Sequence, residues 1–258
     1  MSPSDDSRPS VRGARLGPTA RDGHRAQTAV VGVALLLALT VVAVGGLTAT
    51  AGSIVDDGAT TAATTRVGSD LATALGPDPE VETTIGVTGG TIRVVNRSVW
   101  LLDSDGVVWA GHAGAVVYAD GDHRVTGFAG AVVRTDGDRG RMVAPSRISP
   151  TEDGLYVGVP VLNATGADGI ATGDRRLSVT LRTDAETARE TLPAGEYRIA
   201  VETPIPAAWE RHFAERGAET TRRDVDGDGV PSVVASWSGA RRVHLVVHDV
   251  RLRVGVGG

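Results

Sequence analysis

The chain has 258 residues, with 26 basic against 31 acidic side chains and a formal net charge of −5. Every basic residue is arginine and cysteine is absent, which excludes disulfides, thiolate metal sites and thiol nucleophiles. The acidic balance also argues against a nucleic-acid partner, which needs a basic footprint.

Residues 1–26 form a leader rich in Ser, Pro, Gly and Arg, with no apolar period. That composition predicts a disordered basic segment. Residues 27–55 follow with no charged side chain among them. Twenty-nine uncharged residues exceed the roughly 20 that cross a bilayer as a helix. The run is too long for a buried core helix. An ordinary signal peptide would use Ala49-Thr50-Ala51 as its cleavage site and start the mature chain at Gly52. A retained transmembrane helix accounts for the full length of the run. Five arginines precede it and Asp56 and Asp57 follow it, which sets the N-terminus in the cytoplasm and the remainder outside. The expected location is the cell membrane, crossed once.

The junction Arg25-Ala26-Gln27-Thr28-Ala29-Val30-Val31-Gly32-Val33, with Leu-rich sequence after it, resembles the start of archaeal type IV pilin-like precursors, above all the haloarchaeal exported ones. The resemblance implies a prepilin peptidase that cuts between Ala26 and Gln27 on the cytoplasmic side, so that the apolar helix stays in the mature protein. It also implies contact with membrane lipid and with copies of the chain or other pilin-like subunits. Many relatives carry an acid or a proline within the first few mature residues, where this chain has Ala29, Val30 and Val31. That departure bears on filament assembly rather than on membrane insertion.

Residues 56–82 read as a stalk or linker. Val67, Leu71 and Leu75 lie four apart, along one helical face. Ser69 or Asp70 is the expected N-cap of a short helix and Gly76-Pro77 its end. The alternatives are the outer part of one long stalk helix or a threonine-rich linker before a short one.

Residues 83–258 predict a mainly-β, meander or sandwich-like domain. Its β-branched runs fall at 91–95, 99–103, 107–110, 115–118, 131–134, 141–143, 155–160, 176–182, 196–202, 232–237 and 243–254. Asp105-Gly106, Asp120-Gly121 and Asp136-Gly137 supply the positive φ that tight hairpins need. The decapeptide at 113–122 echoes at 129–138, which reads as two successive strand-turn units. The stretch from Phe128 to Pro145 resembles the central part of haloarchaeal pilin-like exported proteins. A single helix is expected at Pro206–Gly217, with Trp209 and Phe213 packed on the sheet and His212 at the boundary or exposed. The same family often carries a Trp and a second aromatic on such a helix.

Asp224, Asp226 and Asp228 match the first half of an EF-hand-type loop, and alternate carboxylates suit Ca2+. Position twelve of that loop is Ala235 instead of Glu, and a hairpin turn explains the same residues. His244 and His248 are about 13 Å apart along one strand, too far for one zinc. No nucleophile elbow, HExxH or phosphate loop is present, so no catalytic residue and no other cofactor is expected. The two asparagines of the chain, Asn96 and Asn163, each begin a glycosylation sequon, expected on exposed loops. The expected function is a non-enzymatic, pilin-like cell-surface subunit, structural or adhesive. The alternative is an anchored extracellular binding module, with or without calcium, that does not assemble.

Overall fold

The computed structural model describes residues 59–76, 82–87, 89–164, 170–171 and 177–255. All of them belong to the unit Asp57–Gly258. The leader, Ala26, Gln27 and the charge-free run lie outside the described residues. Among the described residues no helix is long and apolar enough to cross a membrane.

The domain is mainly β. One sheet has five strands in the order β1 (Glu82–Val87), β10 (Leu177–Gly195), β14 (Arg241–Gly255), β8 (Gly154–Ala164) and β7 (Arg147–Pro150). The second runs β12 (Glu219–Arg223), β13 (Ser232–Ser236), β11 (Arg198–Glu202), β2 (Thr91–Leu102), β3 (Val107–Asp120), β4 (His123–Phe128), β5 (Ala131–Asp136) and β6 (Arg139–Ala144), and β9 (Ile170–Ala171) also pairs with β2. Pairing is antiparallel except between β14 and β8. The turns at Gly121 and Gly137 have φ of 57° and 56°, as tight Asp-Gly hairpins require.

Two cores lie side by side, and the long strands serve both. β2 gives Val99 and Leu101 to the first core and Ile92 to the second. β3 gives Ala113 and Ala115 to the first and Val116 and Tyr118 to the second. Odd and even positions point to opposite faces of a strand. Each strand therefore changes the face it buries along its length, as do β8 (Leu155 to Val159, then Leu162) and β14 (Val243 and Leu245, then Val250). The sixteen-residue echo follows the same scheme: Ala115 and Ala131 enter the first core, Val116 and Val132 the second. Close approach of the sheets depends on Gly114, where a Cβ would stand 2.9 Å from the Leu162 carbonyl oxygen.

Residues 59–74 form a helix, α1. Val67, Leu71, Ala74 and Leu75 are buried in the second core, so the four-residue spacing does mark the inner face. Ser69 and Asp70 lie within the helix and do not cap it. Threonine is a weak helix former, but here Thr64, Thr65 and Thr73 turn their hydroxyls back onto carbonyls three or four residues earlier. Burial of one face outweighs the remaining propensity deficit. At the other end Gly76 N–H bonds to Thr73 O, and the Arg147 guanidinium donates to Leu75 O at 2.5 Å. A cation suits that helix end.

The second helix, α2 (Pro206–Ala214), starts on a proline, and Gly217 follows at φ 73°. Trp209 and Phe213 face the first core as expected. His212 does not sit at the boundary: it is 3% exposed. It lies three residues from Trp209, on the same helical face, and the 3.6-residue period carries it inward. Arg216 has no acceptor, so its NH1, 2.9 Å away, donates to His212 Nδ1. The ring proton is then on Nε2, which donates to Ser146 Oγ at 2.8 Å.

Burial, with Arg216 beside it, lowers the His212 pKa from 6.5 to about 4. The unfolded chain therefore binds this proton more readily than the folded one between those values. Stability should fall by about 3 kcal/mol as pH drops from about 6.5 to about 4, then level off for this group. Urea unfolding against pH measures it, and His212→Gln should flatten the curve in that window.

Candidate functional site

The strongest concentration of chemistry lies where β11 ends. The β2–β11 ladder pairs Val99 with Val201 and goes no further. At the next position the Glu202 carboxylate replaces the backbone acceptor: its Oε2 takes the Ser98 N–H at 2.9 Å. Its Oε1 accepts from the Arg97 guanidinium at 3.0 Å. Glu202 is 2% exposed. Burial raises its pKa, Arg97 and the Ser98 N–H oppose that, and Asp228 and Asp226 raise it further.

Those aspartates belong to the loop between β12 and β13. Asp224 organises it, accepting the N–H of Gly227 at 2.8 Å and of Gly229 at 3.0 Å. Both glycines have positive φ, 80° and 86°, which folds the loop back. Asp228 accepts the Val230 N–H at 2.8 Å. Val225 packs on Trp100, Leu102, Ala200 and Val234, the patch on the face of the large sheet away from the first core.

Glu202, Asp226 and Asp228 present carboxylate oxygens within 4.8 Å of one another. Of the sequence pattern Asp224, Asp226 and Asp228, the last two lie in this cluster with Glu202, while Asp224 accepts the loop's own N–H groups. The signal for Glu202 was indirect. The loop lacks an acid at position twelve, and Glu202 is the one charged residue closing the apolar run Ile199-Ala200-Val201. Only the fold brings it opposite Ser232, its partner in register.

The described histidines are separately partnered. His112 lies 3.2 Å from Ser98 Oγ, His123 2.6 Å from Asp136, and His248 3.1 Å from Thr187. His244 stacks on Tyr156 with ring centroids 4.8 Å apart. Asn96 is exposed, but on β2 rather than on a loop, and Asn163 is on β8. A cleft between Arg93, Arg97 and Arg124, floored by Val117 and Trp209, encloses about 50 Å³. Ligand sites generally need several times that volume.

The fold and site define a mainly-β, two-core domain with an acidic loop fastened to one sheet face. Residues 25–253 match DUF7289, a family of unknown function, and the chain belongs to that family. No curated protein and no solved structure matches it.

Proposed function

We propose that the chain is a membrane-anchored, pilin-like cell-surface subunit with a structural or adhesive role and no catalytic one. Its leader is removed between Ala26 and Gln27, the run 27–55 crosses the membrane once, and the β domain stands outside. The observation that carries this reading is α1. It is helical from the first described residue, 59, and its inner face is part of the domain's own core. On this reading the segment after the apolar run is part of the exterior domain and not a free stalk. The family match starts at residue 25, so the apolar run belongs to the region the family shares.

Assembly, on this reading, proceeds through the apolar helices of neighbouring copies. Ala26→Leu should block processing and leave the leader on the membrane-bound chain, detected as an unshifted intact mass. The unaltered chain should appear in the filament fraction released by shear. Normal cleavage of the Ala26→Leu chain would count against peptidase processing at this bond. Processed chain that is absent from sheared filaments would reduce the role to a monomeric tether.

A further inference from the structure

We propose that Glu202, Asp226, Asp228 and the Ser232 hydroxyl form a calcium site that fastens the β12–β13 loop to the large sheet. The proposal is independent of whether the chain assembles into filaments.

The three carboxylates alone would be an ordinary acidic cluster. Ser232 adds a separate observation. It is wholly buried, and its Oγ has no hydrogen-bond partner. Buried hydroxyls are normally paired. Its direction follows from the strands. Val233 and Ala235 enter the first core, so Ser232 and Val234 point to the opposite face, where Val234 meets Val225 of the loop. Glu202 lies on that same face by the same alternation, with Ile199 and Val201 in the first core and Ala200 under the loop. Glu202 and Ser232 are partners in register. The register therefore sets an unpartnered oxygen across from Glu202, on the sheet face that Val225 of the loop covers.

Ligand number and charge select the ion. Ca2+ takes several protein oxygens in a flexible cage, whereas Mg2+ keeps most of its waters and one or two carboxylates. Three carboxylates within 4.8 Å of one another fit the former. Three carboxylates against the paired guanidinium of Arg97 and that of Arg223, in register with Ser232, still leave negative charge for a divalent cation to offset. The hydrogen bonds from Arg97 and Ser98 use one lone pair on each Glu202 oxygen, and a second remains on each. Asp224, by holding Gly227 and Gly229, shapes the loop before the ion arrives.

The test uses the full chain in detergent, stripped with chelator and titrated with CaCl2 or MgCl2 by calorimetry and thermal unfolding. One Ca2+ should bind per chain, more tightly than Mg2+, and raise the Tm by about 5–10 °C at a hundredfold excess over Kd. Asp226→Asn with Asp228→Asn, on the exposed loop, should abolish that rise. Ser232→Ala separates a ligand from a structural hydroxyl. In chelator its Tm should hold or increase, because a buried unpaired group is removed, while calcium affinity falls at least about threefold. Absence of any calcium-dependent shift at about 10 mM, beyond the weak end for extracellular modules, would overturn the site. So would undiminished binding in the double variant. In those cases Arg97, and Arg223 on the other flank of Ser232 in register, offset the acids without an ion.

Discussion

Replacing Trp209 with alanine should lower the stability of the domain by about 3–5 kcal/mol, the usual loss for a large aromatic removed from a closed core. Aromatic residues are only 3% of the chain, so few side chains of this volume exist to fill it. Both phenylalanines and two of the four tryptophans gather at α2. Trp209 stands 5.6 Å from Phe213 and 6.4 Å from Phe128, and Phe213 stands 6.0 Å from Trp237, centroid to centroid. Trp209 is 2% exposed and Phe213 fully buried. The rest of the first core is Val, Leu, Ile and Ala on strands fixed in register, which cannot close over the space an indole leaves. Urea unfolding at pH 7, followed by circular dichroism, measures the loss. At this size the Tm should drop by roughly 10 °C. A change below about 1 kcal/mol would mean that α2 rests on the sheet without anchoring it.

Leu71→Ala should cost about 2–5 kcal/mol, and Ser69→Ala less than about 0.5. The two residues are neighbours on α1 with opposite settings. Leu71 is fully buried among Val67, Leu75 and the second core, whereas Ser69 is exposed. A free stalk helix would respond almost equally to both changes, through helix propensity alone. A docked helix separates them by several kcal/mol. The same urea experiment on both variants reads the difference directly. Equal, small effects would detach α1 from the domain and remove the observation on which the anchored-subunit reading rests.

What the sequence discloses follows the burial pattern. The Asp-Gly hairpins, the aromatic face of α2 and the inner face of α1 are legible because each has a local cause: a positive φ, or a 3.6-residue period. Strand extents are less so. Residues 91–95 and 99–103 read as two strands because Asn96, Arg97 and Ser98 interrupt the apolar run, yet they lie within β2, where Asn96 is exposed and Arg97 turns to Glu202. Gly111 and Gly114 divide β3 in the same way. β12 escapes notice because four of its five residues are exposed, which leaves no alternation to detect. β10 extends to Gly195 past Arg189, Glu190 and Thr191, exposed positions that only its pairing with β14 identifies as strand. Glu202 and Ser232 are thirty residues apart, and their convergence is a product of sheet register that no local pattern encodes.

On the proposed reading the apolar run 27–55 is retained after processing and tethers the domain. Intact-mass spectrometry of the chain extracted from the membrane fraction tests it most directly. A mature N-terminus at Gln27, with residues 27–55 still attached to α1, is the expected result. A chain beginning at Gly52 and recovered from the medium would contradict it.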